Sequence, residues 1–502
     1  MPSTEEQLRF ILGLKLRQYR EAQGLSLRDL AERSGLSISY LSEIEHGKKY
    51  PKPQKLLRLA EALNISFDEL VSLKLDARLS PLRDILNSPF LKVFPFELFG
   101  LDSESIFSIL GQIPEKAAAL IHTFLEIGQM YDMRVEQFLF AALRSYQQMH
   151  HNYFPELEAA AQHFRKEMSL STSRASDEHI YRSLLVEHHN YIIDEETLAG
   201  HPVLHSFRSV FIPSNPPRLL INRNLLPVQK AFIFARELGY NYLGLTERAY
   251  TSSWLRVTSF DQVINNFKAS YFAGALLLEL DRITQDLQTL FARPTWEPQA
   301  LIQLIQQYGT TPEMLFYRMS EVIPRFFGIH ELFFLRVNTS HDQSTYRLTK
   351  MLNLSRIPLP HGLGLNDTYC RRWIGIQLLS RIRQNGSPLI AGAQRSTFIE
   401  PGASFLTLSL ARPLALSPDT HSSVTLGFLI DDTLKERIRF WNDPHIPEKE
   451  VNMTCERCPL DSQRCPDRAA SAIHYLEELQ QQAKEEALQK LFEQYGALAL
   501  RV

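Results

Sequence analysis

The sequence predicts a multidomain protein, all-α at its amino end and α+β over much of the remainder. Three observations carry this. At 502 residues the chain is longer than one hydrophobic core organises. Its first 75 residues or so read as short, capped helices with no strand signal. From about residue 178 short extended runs begin to alternate with longer helical patterns.

The hydrophobic content of 44% with 22% charged residues is ordinary for a globular chain. No apolar run approaches the roughly 18 residues needed to cross a bilayer. The start, MPSTEEQLRF, is acidic before it is apolar, unlike a secretory signal. Together these predict a cytoplasmic protein. A formal net charge of −2 excludes a surface that coats nucleic acid throughout, so any such contact must come from a local basic face. Four cysteines in so long a chain are no disulfide scaffold, yet three of them fall between 455 and 465.

Residues 8–75 divide into five helices. Leu12, Leu16 and Tyr19 share one face of the first, and Gly24 ends it. Ser26 and Asp29 give the second, SLRDLAERS, a capping-box start. Gly35 permits a tight turn, and Ser37 caps a third, SISYLSEIEHG. There Leu41 and Ile44 point inward, leaving Ile38, Ser39, Ser42 and Glu43 outside. Pro51 and Pro53 precede a fourth helix, KLLRLAEAL, and Ser66 with Glu69 opens a fifth.

Over this stretch the sequence closely resembles the phage-repressor (xenobiotic-response-element) helix-turn-helix family. The resemblance implies DNA binding, with the third helix in the major groove. Ser37, Ile38, Ser39, Ser42 and Glu43 would then lie near base edges. Glu43 either accepts from a cytosine amino group or pairs with a nearby lysine. Arg17, Arg28, Lys48, Lys49 and Lys52 are the candidates for phosphate contacts. One such module covers little DNA, so a homodimer on a palindromic operator is expected.

Residues 80–168 read as a helical connector that packs domains and dimerises; His150 and His151 beside Tyr153 fit a partly exposed helix end better than a metal site. In 178–290, SVFIPS and RLLINRN precede the helices PVQKAFIFARELGYNYLGL and VINNFKASYFAGALLLEL. This arrangement resembles a zinc-metallopeptidase-like domain whose first helix carries His-Glu-x-x-His. Here the matching positions are Arg236, Glu237, Leu238, Gly239 and Tyr240, and the second helix offers Asn266 and Lys268. Cations and weak ligands cannot build a zinc site, so no catalytic residue and no enzyme is expected. Two readings remain for the cleft. Either Arg236, Tyr240, Lys268 and Tyr271 line it for an anionic ligand with an apolar part, or Arg236 bridges an acid and the cleft is filled.

Residues 296–470 read as a second α+β domain, with strand-like ELFFLRV, YRLTKML, FLTLSLARPL and VTLGFLI. The signatures PEMLFYR, FFGI-x-x-LFFLR, YCRRW and TCERCPL, followed by Cys465 and Arg468, resemble the short-chain fatty acyl regulator family in content and order. The resemblance implies a repressor-type module joined to a degenerate peptidase-like domain and a carboxy-terminal effector domain. It implies sensing of a short-chain acyl-coenzyme A and control of short-chain fatty acid metabolism genes. The chain lacks a Gly-Gly-x-Cys-Pro-Leu-Trp element that some members carry.

Cysteine spacing stands apart from that resemblance. Cys455 and Cys458 form a C-x2-C pair, Cys465 can return on a loop bounded by Pro459 and Pro466, and Cys370 completes four thiols. A zinc site, an iron–sulfur cluster, free thiols in a packed turn and a redox-sensitive pair all fit the spacing. The alternative function is therefore a redox- or iron-sensing regulator. Arg371 and Arg372 beside Cys370 are candidates for binding phosphate or pyrophosphate. The tail 471–502 reads as a charged amphipathic helix that either clasps a subunit or is solvated.

Overall fold

The computed structural model describes residues 4–72, 95–100, 135–170, 177–251, 257, 259–339, 345–355, 357, 368–400, 402–417, 419–456, 458–461, 463–469 and 480–487. Much of the expected connector, and most of the expected tail helix, lies outside these residues. The chain divides into two compact units, residues 1–146 with 256–263 and residues 147–255 with 264–502.

The first unit contains helices α1 (Thr4–Ala22), α2 (Leu27–Ser34), α3 (Ile38–Glu45), α4 (Pro53–Ala62) and α5 (Phe67–Val71). Three of these starts are capped by a local serine. Ser26 and Asp29 close a reciprocal capping box, while the Ser37 and Ser66 hydroxyls accept from the Tyr40 and Glu69 amides. Gly35 sits at φ +63°, a left-handed conformation that a Cβ would strain, and so lets α2 turn into α3. Leu12, Leu16, Leu30, Leu41, Ile44, Leu56, Leu59, Leu63 and Leu70 form one core.

The second unit begins its small sheet with β1 (Ile192–Asp194), β2 (Ser209–Ile212) and β3 (Arg218–Ile221), in the order β1-β3-β2. β3 runs parallel to β1 and antiparallel to β2. Among its helices are α6 (Pro155–Glu167), α7 (Glu178–His189) and α8 (Pro227–Tyr242), with α7 packed on α8. α9 (Phe260–Leu277) begins in the residues assigned to the first unit. α10 (Leu280–Phe291), α11 (Pro298–Tyr308) and α12 (Pro312–Phe327) follow.

The larger sheet comprises β4 (Leu332–Thr339), β5 (Tyr346–Asn353), β6 (Ile390–Phe398), β7 (Ser404–Pro413), β8 (His421–Leu429) and β9 (Glu448–Val451). Its order is β5-β4-β8-β7-β6-β9, antiparallel except for β6 against β9. Side chains alternate between faces along each strand. Phe333, Leu335 and Val337 on β4 therefore turn to α13 (Ile374–Asn385), with which they share a core. Phe334 and Arg336 turn the other way, toward α12, where Tyr317 meets Phe334 edge-on. Strands β6, β1 and β9 and the start of α13 were not anticipated; the four strand-like runs noted above are β4, β5, β7 and β8.

Candidate nucleic-acid interface and anion site

On α3, Leu41 and Ile44 are fully buried, and Ser37, Ile38 and Ser39 form an exposed face with Ile38 48% accessible. Ser42 and Glu43 are half-buried beside them. Glu43 lies 2.7 Å from Lys49 Nζ, so of its two expected roles the structure shows the ion pair. Arg17 pairs with Glu21, and Arg28 approaches Glu32 at 3.7 Å, all four side chains being well exposed. Lys48 and Lys52 are exposed at the two ends of the segment between α3 and α4. The face thus combines small polar side chains, one aliphatic and flanking cations, which suits a groove lined by bases and phosphates.

Three residues that the sequence reading passed over orient this face. Arg20 donates to both Glu45 oxygens, at 2.6 and 2.9 Å, and to the Leu25 carbonyl. Lys15 Nζ is buried and donates to the Glu69 carbonyl and to Ser72 Oγ and carbonyl. Gly13 passes so near α3 that a Cβ there would collide with the Ile44 carbonyl.

The α8 positions where the resemblance would place a zinc-binding motif are occupied by an internal ion pair. Glu237 is wholly buried on α8 and receives Arg248 Nη2 at 2.6 and 2.5 Å. The Arg248 guanidinium lies 3.7 Å from the Phe211 ring centre and 4.1 Å from that of Tyr240. The chain's own cations therefore take the carboxylate, as the second reading of the cleft expected: Arg236 pairs with it at 3.8 Å, and Arg248, which that reading did not name, binds it more closely. Tyr240 is buried and donates to Asn266 at 3.3 Å.

Tyr271 does not join this group. It is 1% exposed and donates to Glu158 Oε1 at 2.7 Å, in a buried network where Arg318 also binds Glu158 and Glu321. Expecting Tyr240 and Tyr271 around one cleft is corrected by helix phase. Five residues from Asn266 to Tyr271 advance about 140° beyond a full turn, which carries Tyr271 to another side of α9. Lys268 is half-buried on α9. Arg371 lies over the Tyr346 ring at 4.5 Å, away from Arg236 in sequence and in partners.

A stronger cationic site surrounds Glu313 at the start of α12. Arg336 Nη1 is 3.2 Å and Lys350 Nζ 3.8 Å from its carboxylate, and Arg208 and Arg412 act on it electrostatically. These cations hold Glu313 down at about 2 against the effect of burial. Burial lowers Lys350, Arg208 and Arg412 in turn, with neighbouring cations adding to the effect. Arg236 is among the cations opposing Arg208, so one expected residue borders this group. Arg336 and Lys350 are direct partners across β4 and β5, a like-charge pairing that costs stability in a sheet. Lys350 nevertheless keeps 40% of its side chain accessible. Four cations thus act on one carboxylate, with Glu321 also acting on Lys350, and the exposed part of Lys350 leaves the group open to an anion such as a phosphate or pyrophosphate.

All four cysteines are buried and reduced. The Cys370 amide donates to the Met453 carbonyl and the Cys455 amide to that of Thr368, setting the YCRRW segment against the first cysteine of the cluster. Cys458 and Cys465 pack with Leu460. Burial pushes the Cys370 thiol up to about 12, with Cys455 and Cys458 adding to the effect. Cys465 is raised mainly by burial and lowered by Arg372. Among the described residues, Arg372 Nε and Nη1 are buried without a hydrogen-bond partner, and no group of three or more His, Cys, Asp or Glu is placed to hold a metal ion.

A family described as helix-turn-helix matches residues 16–70. No curated protein matches the chain. A solved structure described as a Mycobacterium tuberculosis transcriptional regulator is similar over 66% of this chain and 93% of its own, at 18% identity and a TM-score of 0.46. Among the described residues no helix is long and apolar enough to cross a membrane. The capped helices, the left-handed glycine turn and the family match agree: the amino-terminal module is a helix-turn-helix domain, and the chain is a DNA-binding transcriptional regulator.

Proposed function

We propose that this regulator is sequence-specific, acts as a homodimer on a palindromic operator, and answers to a short-chain acyl-coenzyme A. The observation that carries the effector reading is the cluster of Arg208, Arg336, Lys350 and Arg412 around Glu313. A coenzyme A thioester brings a pyrophosphate and a further phosphate, and these would relieve the repulsion among desolvated cations. Such a ligand regulates through its difference in affinity for the DNA-competent and other states, with no catalytic step. Control of short-chain fatty acid genes follows from the effector's identity.

Thermal unfolding with acetyl-, propionyl- and longer acyl-coenzyme A, against free coenzyme A, tests the reading. Ligand at about 100 times its dissociation constant stabilises the fold by roughly 2.7 kcal/mol. A shift that depends on chain length, and is lost in Arg336→Gln/Lys350→Gln, is expected. No shift with any thioester overturns the effector.

A second reading, that the chain senses redox state or iron, is favoured by the unspent donors of Arg372 beside Cys465. Cys370, Cys455, Cys458 and Cys465 would be the ligands of zinc or an iron–sulfur cluster, which supplies negative charge where Arg372 has donors to spare. The thiol chemistry fits such a group. Metal and sulfide analysis of anaerobically purified protein, with DNA binding before and after oxidation, separates this reading from the acyl sensor.

A further inference from the structure

Helix α3 carries two carboxylates, and the structure disposes of them differently. Glu45 is turned to Arg20, which donates to both of its oxygens, and only 4% of its side chain is accessible. Glu43 stays on the same face of α3 as Ser39, with 35% of its side chain accessible. Lys49, beyond the end of α3, brings Nζ to 2.7 Å from Glu43 Oε2. The same ammonium lies 5.7 Å from the centre of the Tyr40 ring, which Lys55 Nζ approaches at 3.9 Å. Two side chains of α3 thus set where Lys49 stands.

Stability is a weak reason for this pair, because ion pairs this exposed contribute little. Recognition is a stronger one. A lone carboxylate on a surface that docks against phosphates would be repelled, and Lys49 neutralises that charge beforehand. The pair also keeps capacity for a further partner, since an ammonium has three donors and a carboxylate two accepting oxygens. With one donor spent on Oε2, Lys49 can still donate outward and Oε1 can still accept. Neighbouring polar groups are more committed. Ser37 Oγ accepts from the Tyr40 amide, and His46 Nδ1 lies 2.7 Å from the Ser42 carbonyl and 3.4 Å from its hydroxyl.

We propose that Glu43 and Lys49 act as one specificity element that recognises a C·G base pair from the major groove, a step that rests on the sequence-specific reading above. Glu43 accepts from the cytosine amino group while Lys49 donates to guanine O6 or N7. The edge of C·G places its donor at one end and both acceptors at the other, which matches a carboxylate and an ammonium side by side. The edge of A·T places its donor between the acceptors N7 and O4, so a carboxylate there meets repulsion on both sides.

Selection of randomised duplexes by the full chain, followed by titration of the selected site and of one with the C·G pair replaced by A·T, tests this. The wild type is expected to fix C·G at one position and to lose about tenfold in affinity on its replacement. Glu43→Gln should shift the selection there to A·T, because glutamine meets adenine N6 and N7 in a bidentate pair, and Glu43→Ala should remove the preference. Lys49→Ala should lower the preference for C·G as well as the affinity. The same selection by the wild type and both Glu43 variants overturns the proposal. So does a Lys49→Ala chain that binds both sites more weakly by the same factor, which marks a phosphate contact alone. A wild type that enriches no sequence overturns the sequence-specific reading itself, so the two failures are told apart.

Discussion

Removing Arg248 while leaving Glu237 tests whether the core around α8 is closed by an internal ion pair. The two bonds of 2.6 and 2.5 Å join side chains that are 8% and 1% accessible. Breaking such a pair strands a buried charge and costs about 3–5 kcal/mol. At about 2 °C per kcal/mol, suited to a large cooperative unit, Arg248→Ala should lower Tm by roughly 6–10 °C. Replacing both partners, as Glu237→Leu/Arg248→Met, removes the charge together with its counter-ion and should recover most of the loss. Differential scanning calorimetry of the wild type, both single variants and the double gives the coupling directly. A double variant as unstable as Arg248→Ala would show that packing, and not the stranded charge, sets the cost; the account of Glu237 would then be wrong. Proteolysis that depends on Glu237 and added zinc would refute it from the other side.

Three more outcomes follow from named contacts. Lys52→Ala and Arg28→Ala should weaken binding to all DNA sequences alike, each reducing the slope of log affinity against log salt by about 0.9 if it meets one phosphate; titrations at several salt concentrations check this. Glu321, pushed up to about 8 mainly by burial, holds a proton in the fold that it releases when unfolded. Its stabilising contribution is full below about pH 4.5 and lost as pH rises through 8, so Glu321→Gln should flatten the decline of Tm across that window. Gly13→Ala should destabilise the helix-turn-helix unit by about 1–3 kcal/mol, because its Cβ meets the Ile44 carbonyl rather than a yielding side chain; urea unfolding of the full chain, followed by a probe in that unit, measures it.

The helix-turn-helix domain was legible because its signals are local. Ser26 with Asp29, Gly35 and Ser37 act within three residues of themselves, so spacing alone carries their geometry. The supporting contacts were not legible: Lys15 reaches residue 72 and Arg20 reaches residue 45, distances along the chain at which no pattern announces a partner. That Arg236 and Tyr240 cannot ligate zinc could be read from their side chains, yet the residue that binds Glu237 most closely, Arg248, lies beyond the end of α8 where no periodicity applies.

The cationic cluster shows what signal was overlooked. Arg336 and Lys350 interrupt otherwise strand-forming runs, and polar positions in such a run ordinarily belong to a face that meets water. Here α12 covers part of that face, and Glu313 is the carboxylate on which all four cations act, with Glu321 acting on Lys350 as well. A sheet evolved only for stability would place opposite charges across β4 and β5; the direct pairing of Arg336 with Lys350 does the reverse. The apolar position Val424, next across the sheet from Arg336, offers neither charge a counter-ion. Glu313 and, at Lys350, Glu321 offset this charge from α12, and the anionic ligand proposed above would offset it further.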